Sequence, residues 1–99
     1  MSVNLISDAL RKDISAELVK YTLVPRSTYD GEGFDIFSEF CVLWRRSTPS
    51  TAGGENWGTH RGTIRGPQSA LKACLFIGHY DMDEEDARED FCDRQGHLD

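Results

Sequence analysis

The sequence predicts a single α+β domain. Three observations lead to this prediction: a helical stripe of apolar residues near the N-terminus, an alternation of apolar and polar residues in the middle, and helix-capping signals in an acidic C-terminal segment. The chain has 99 residues, enough for one modest core and too few for two. We therefore expect one domain over residues 1–99, with a mobile loop at 47–56 and a frayed tail at 95–99.

The first predicted element is an N-terminal amphipathic helix. Apolar residues recur every three or four positions through residues 3–18, which is the spacing of one helix face. The stripe predicts a helix over residues 4–20, because Pro25 excludes helical geometry just before it. In an alternative interpretation the helix ends near Asp13 and residues 16–24 form a strand, since a two-residue alternation is also present there.

Two strands are predicted in the centre of the chain. Large apolar side chains occupy five of the six alternate positions from Phe34 to Trp44, which is the clearest strand pattern in the sequence. Residues 57–65 resume the alternation, and the Ser, Thr, Gly and Pro content of residues 47–56 is typical of a loop. We expect an antiparallel hairpin, or a three-stranded sheet if residues 16–24 are also a strand.

A central apolar helix is predicted to pack on this sheet. Pro67 follows a glycine, and proline is favoured at the first position of a helix. Residues 70–77 are apolar nearly throughout, as expected for a helix at the centre of a core. The prediction is a helix over residues 67–80 that covers the face of Phe40, Val42 and Trp44.

Negative charge is concentrated at the C-terminal end. The whole chain carries a net charge of −6, and residues 81–99 hold nine acids against two arginines. Asp81 or Asp83 can cap a third helix that runs to about Arg94. Such a helix is either a solvated face or a binding face for a protein partner with a basic surface. The candidate partner-binding residues are Asp81, Asp83, Glu84, Glu85, Asp86, Glu89 and Asp90.

The predicted hairpin supplies an alternative binding surface. It combines arginines with aromatic and imidazole rings, a mixture that is used to bind single-stranded nucleic acid. The competing interpretation is structural, with the arginines paired to the acidic segment and Trp44 in the core. The alternative nucleic-acid-binding residues are Arg45, Arg46, Trp57, His60, Arg61 and Arg65.

The motif content favours a non-enzymatic protein without a cofactor. There is no Gly-x-Ser-x-Gly and no phosphate-binding loop, and three scattered histidines define no triad. The cysteines Cys41, Cys74 and Cys92 are odd in number and form no Cys-x-x-Cys pair, which favours a reducing, cytoplasmic location. Two Cys-x4-His pairs could offer zinc ligands, but their spacing is unusual and we expect no metal site. No apolar stretch is long enough to span a membrane.

In its small size, acidic charge and lack of catalytic motifs, the chain resembles small accessory proteins of phages and prophages of the anti-CRISPR and anti-defence type. The resemblance is one of overall profile and assigns no individual residue. It implies an inhibitor that binds a host nucleic-acid-handling complex through its acidic face rather than by chemistry. The alternative is a small nucleic-acid-binding or regulatory module that uses residues 44–65.

Overall fold

A computed structural model describes residues 2–27, 36–46, 56–67 and 70–96. The predicted loop, apart from residue 56, and the tail beyond residue 96 lie outside these ranges. The described residues form helix α1 (Ser2–Ile14), strands β1 (Ala16–Ser27), β2 (Ile36–Arg46), β3 (Trp57–Gly66) and β4 (Lys72–Met82), and helix α2 (Glu84–Gly96). The strands form one antiparallel sheet in the order β1-β2-β3-β4. Neither helix is long and apolar enough to cross a membrane.

Strand β2 is buried on both faces of the sheet. All five residues from Phe40 to Trp44 are fully buried. Successive side chains of a strand point to opposite faces, so the even-numbered residues meet one helix and the odd-numbered residues the other. The cluster on the α1 side contains Phe40, Val42 and Trp44 with Ile6 and Leu10, and the cluster on the α2 side contains Cys41 and Leu43 with Ala87 and Phe91. The sheet therefore lies between the two helices.

The predicted central helix over residues 67–80 is wrong. Residues 72–82 form strand β4, and the Ala70 N–H donates a hydrogen bond to the Pro67 carbonyl (2.8 Å). A short apolar run fits a buried helix and a strand equally well, and here pairing with β3 decides between them. The predicted hairpin or three-stranded sheet is corrected to four strands, and the predicted cover of Phe40, Val42 and Trp44 is supplied by α1.

The N-terminal helix is shorter than the predicted helix over residues 4–20. It ends at Ile14, and Ser15 adopts a left-handed backbone conformation with a φ of 53°, which stops a helix. Strand β1 begins at the next residue and pairs with β2. The alternative interpretation, with a strand from residue 16, is therefore confirmed.

Two glycines of β3 make room for aromatic rings of β2. Gly58 lies opposite Trp44 and Gly62 lies opposite Phe40 in the antiparallel register. A Cβ atom at either glycine would overlap the facing ring and a backbone carbonyl of β4. The rings therefore extend over β3 at positions where only glycine allows so close an approach.

We expect Phe40→Ala to destabilise the protein by about 3–5 kcal/mol, because it removes a fully buried ring and the glycine beneath it cannot fill the cavity. The matched control is Phe76→Ala, since the Phe76 side chain is 60% exposed and its loss leaves no cavity. Urea unfolding of both variants measures the difference. Equal free energies of unfolding for the two variants would contradict this packing.

Candidate functional site

Helix α2 is fixed to the sheet by a polar network beneath it. Arg94, only 8% exposed, donates hydrogen bonds from Nη1 to Thr59 Oγ1 (2.9 Å) and from Nη2 to the Ile77 carbonyl (2.8 Å). The Thr59 hydroxyl donates to Asp90 Oδ2, which also accepts a hydrogen bond from His79 Nδ1 (2.8 Å). The network compensates for the low apolar content of this helix.

Asp90 lies within this network rather than among the outward-facing acids. Burial by itself raises the pKa of its carboxyl group, but the hydrogen bonds from Thr59 and His79 and the positive charge of Arg94 outweigh burial and hold the pKa below its usual value. The carboxylate is therefore ionised and bound to the protein's own groups. We assign Asp90 to the docking of α2.

Three other predicted acids are engaged at the start of α2. Asp83 Oδ1 accepts a hydrogen bond from the Asp86 backbone N–H (2.8 Å), so of the two predicted caps, Asp81 and Asp83, it is Asp83 that caps the helix. Glu84 forms an ion pair with Arg88 (2.9 Å) one turn later. Asp81 lies near the end of β4 with a φ of 55°. These residues lie where β4 ends and α2 begins.

Three exposed carboxylates of α2 form an acidic stripe, defined as Asp86, Glu89 and Asp93. Their spacing of three, four and seven residues places them on one face of the helix. With Met82 and the docked Asp90 they line one shallow, open groove beside β4. Asp86, Glu89 and Asp93 are exposed, as is Glu85 nearby. Asp93 belongs to the same acidic run in the sequence and joins the candidate residues here, because it lies four residues after Glu89.

His60, predicted for the alternative surface, is buried in the core between two aromatic residues. Trp44 Nε1 donates a hydrogen bond to His60 Nδ1 (2.9 Å), and His60 Nε2 is hydrogen-bonded to the Tyr80 hydroxyl (3.0 Å). Because Nδ1 accepts, the neutral ring carries its proton on Nε2 and donates it to Tyr80. Burial, assisted by the positive charges of Arg94 and Arg46, lowers the pKa of His60 to about 4.

Two more residues of the predicted basic surface have structural contacts. Arg46 donates a hydrogen bond from Nε to the Ile14 carbonyl at the C-terminal end of α1 (2.9 Å), and its Cζ lies 5.0 Å from the ring centroid of Trp44. Trp57 is half-buried against α2, with Arg88 Cζ 5.5 Å from its ring centroid. Both side chains help to attach a helix to the sheet.

The other three predicted arginines do not form one surface. Arg45 lies at one end of the sheet, 3.7 Å from a carboxylate oxygen of Glu17. Arg61 and Arg65 lie four and eight residues farther along the sheet in the β2–β3 register, which corresponds to about 14 Å and about 27 Å. The six residues of the alternative surface are thus distributed over both faces and both ends of the sheet.

The three cysteines are free thiols. Burial raises the pKa of Cys41 to about 11 against the lowering effect of Arg94 and Arg61, so this thiol is protonated at neutral pH and is not a nucleophile. Cys92 is exposed, and so is Cys74, which the predicted central helix would have buried. Among the described residues, no three His, Cys, Asp or Glu side chains are grouped so that they could hold a metal ion.

Asp90 and His79 resemble the carboxylate–imidazole pair that orients a catalytic base. The His79 side chain is 47% exposed, so its ring is accessible. Within the described ranges, however, no hydroxyl or thiol is hydrogen-bonded to its second ring nitrogen. The contacts that the described residues show for this pair are those of the network that holds α2.

No protein-family model matches the chain, and no curated protein or solved structure matches it either.

We expect Asp90→Asn to destabilise the protein by about 1.5–3 kcal/mol, because it removes a charged acceptor of two hydrogen bonds. The neighbouring substitution Glu89→Gln should change stability by less than about 0.5 kcal/mol, since Glu89 is exposed. Urea unfolding of both variants at neutral pH provides the comparison. If the two variants are equally stable, Asp90 does not hold α2.

Stability should fall as the pH decreases from 6.5 to about 4. In this range the unfolded chain protonates His60 while the folded protein keeps the ring neutral, so the unfolded state binds more protons and is favoured. The full effect of this histidine is about 3 kcal/mol. His60→Gln, which does not titrate, should show a smaller dependence of the free energy of unfolding on pH. An unchanged dependence would show that His60 is not the titrating group.

Proposed function

We propose that the protein is a non-catalytic binding protein that docks the acidic stripe of α2 against a basic surface of a nucleic-acid-handling complex. The observation that carries this proposal is the groove formed by the stripe, Asp90 and Met82, where four carboxylates face one space. Arginine and lysine side chains fit such a groove, because their charged ends pair with carboxylates while their methylene stems lie on an apolar side chain.

The attachment of α2 to the sheet beneath the stripe supports this proposal. The network of Arg94, Thr59 and Asp90 attaches the inner face of α2 to the sheet, and Asp83 caps its first turn. The outward carboxylates are therefore presented from a helix whose position is already set. A preorganised surface loses less conformational entropy on binding than a flexible tail of the same charge.

The chemistry of the partner follows from charge complementarity. Grooves that bind nucleic acid carry lysine and arginine placed for phosphates, and a row of carboxylates can occupy the same groups. Occupation of such a groove would exclude nucleic acid, which is the inhibitory role implied by the resemblance to phage anti-defence proteins. Association between opposite charges of this kind is fast and weakens as salt is added.

The test compares two triple variants that remove the same charge. Asp86→Asn, Glu89→Gln and Asp93→Asn neutralise the stripe but leave Asp90 in place, whereas the control replaces exposed acids of α1 and β1, namely Asp8→Asn, Asp13→Asn and Glu17→Gln. The probe is a short labelled peptide of alternating arginine and glycine, measured by fluorescence anisotropy at two salt concentrations. We expect the stripe variant to bind about tenfold more weakly and the control to bind like the wild type. Equal binding by both variants would contradict the proposal.

The same proteins can serve as tagged baits in nuclease-treated bacterial lysate. The wild type and the control variant should recover the same basic protein, and the stripe variant should not recover it. Recovery of that protein by all three baits would show that the stripe is not the contact.

A further inference from the structure

Helix α2 covers only part of its face of the sheet. It packs on Cys41 and Leu43 of β2, and near its end Gln95 Oε1 accepts a hydrogen bond from Thr22 of β1. Beyond Cys41 toward the start of β2, the residues on this face are more accessible: the side chains of Glu39 and Arg61 are 29% and 35% exposed. Val24, opposite Glu39, still packs against the cluster of Cys41, Leu43, Ala87 and Phe91, whereas Glu39 and Arg61 are not part of it.

The uncovered half, here called the open sheet surface, is defined by Arg26, Phe37, Arg61, Arg65, Lys72 and Phe76. The strand register places three of these residues in one row, because Phe37 lies opposite Arg65 and Arg65 lies opposite Lys72. Arg61 lies on the same face as Arg65, four residues earlier on β3. Alternation along β4 places Phe76 on the face of Lys72.

Positive charge predominates on this surface. Glu39 is its one carboxylate among the described residues, and it is shared by Arg26 Nε at 3.0 Å and Arg61 Nη2 at 3.6 Å. One carboxylate cannot neutralise two guanidinium groups, and Arg65 and Lys72 are exposed beside them. The open sheet surface is therefore basic in a chain whose net charge is −6.

Two phenylalanines lie among these cations. The Phe37 ring has Arg65 Cζ 4.6 Å from its centroid, so one ring already stacks with a cation. The second ring belongs to a β-bulge: the pairs His60–Gly78 and Gly62–Leu75 leave both Phe76 and Ile77 opposite Arg61. Bulges re-aim side chains, and here Phe76 is 60% exposed.

We propose that the open sheet surface binds a segment of single-stranded nucleic acid. Phe76 stacks on a base, while Arg61, Arg65 and Lys72 contact phosphates on either side of it. Sheets that carry exposed aromatic rings between cations bind unpaired bases in this way, because every base offers a π-face and the backbone offers phosphates. The binding is therefore tolerant of sequence.

The position of the acidic stripe favours a single strand over a duplex. The stripe lies on the same side of the sheet as the open sheet surface, because both belong to the α2 face. A second row of phosphates would approach these carboxylates and be repelled, and paired bases would not expose their faces to Phe76. This site is separate from the groove that the proposed function assigns to a basic protein, and one nucleoprotein complex could occupy both.

The test uses labelled oligothymidylate, oligouridylate of equal length and a DNA duplex as probes in anisotropy titrations. Phe76→Ala should weaken single-strand binding about fivefold to a hundredfold, and Lys72→Gln should reduce the slope of log affinity against log salt by about 0.7. The matched controls are Tyr21→Ala, an exposed aromatic residue on the α1 face, and Arg45→Gln, an exposed arginine at the other end of the sheet. Both controls should bind like the wild type.

The proposal is overturned if Phe76→Ala binds both single strands like the wild type, or if the duplex binds as tightly as they do. It is also overturned if the wild type binds neither strand. If Phe76→Ala then converts a dimer into a monomer in size-exclusion chromatography, the ring belongs to an interface between two copies. Phe76→Ala should leave binding of the arginine–glycine peptide unchanged. The two proposals therefore fail in separate experiments.

Discussion

The burial of β2 on both faces is the constraint on which the rest of the molecule depends. Five consecutive side chains, from Phe40 to Trp44, are removed from water, and such a strand needs an apolar cover on each side. Helix α1 supplies one cover with Ile6 and Leu10. The other face has to be covered by the C-terminal segment, which is rich in acids and poor in apolar residues.

This shortage of apolar residues explains both candidate surfaces. Only Ala87 and Phe91 of α2 are buried apolar residues, so the helix covers one part of its face and depends on Arg94 and Asp90 for the rest of its attachment. The carboxylates that do not take part in docking are left outward as the acidic stripe. The sheet that α2 does not reach is left open, and its cations remain exposed beside the acids.

The elements with a strong local signal could be predicted from the sequence. The alternation in β2 and β3, a helix cap at Asp81 or Asp83 and the acidic helix after it follow from short-range patterns, and the structure has the cap at Asp83. The end of α1 was placed too late, because the helical spacing continues into β1 through Leu18 even though Ser15 breaks the helix. The identity of β4 depends on pairing with β3, and the apolar run of residues 70–77 contains no information that separates a strand from a helix.

The sites were predictable only where they lie within one helix. The acidic stripe follows from helical spacing, yet the role of Asp90 depends on Thr59 and His79, which belong to other elements. The open sheet surface joins Arg26 of β1 to Lys72 of β4, so it exists only after the four strands have paired. His60 and Arg46 were predicted to lie on a binding surface, because a sequence does not show tertiary contacts. In the structure both have structural roles, since His60 is hydrogen-bonded to Trp44 and Arg46 to the Ile14 carbonyl.

Both surfaces depend on β2 lying between two helices on opposite faces, and nuclear Overhauser contacts test this arrangement most directly. We expect methyl contacts between Val42 and Leu10, and separate contacts between the Leu43 methyls and the Phe91 ring. Contacts that join Phe91 to Val42 would contradict the arrangement, because both helices would then lie on one face. A helical pattern of sequential amide contacts through residues 72–80 would contradict it as well, since β4 and the open sheet surface would not exist.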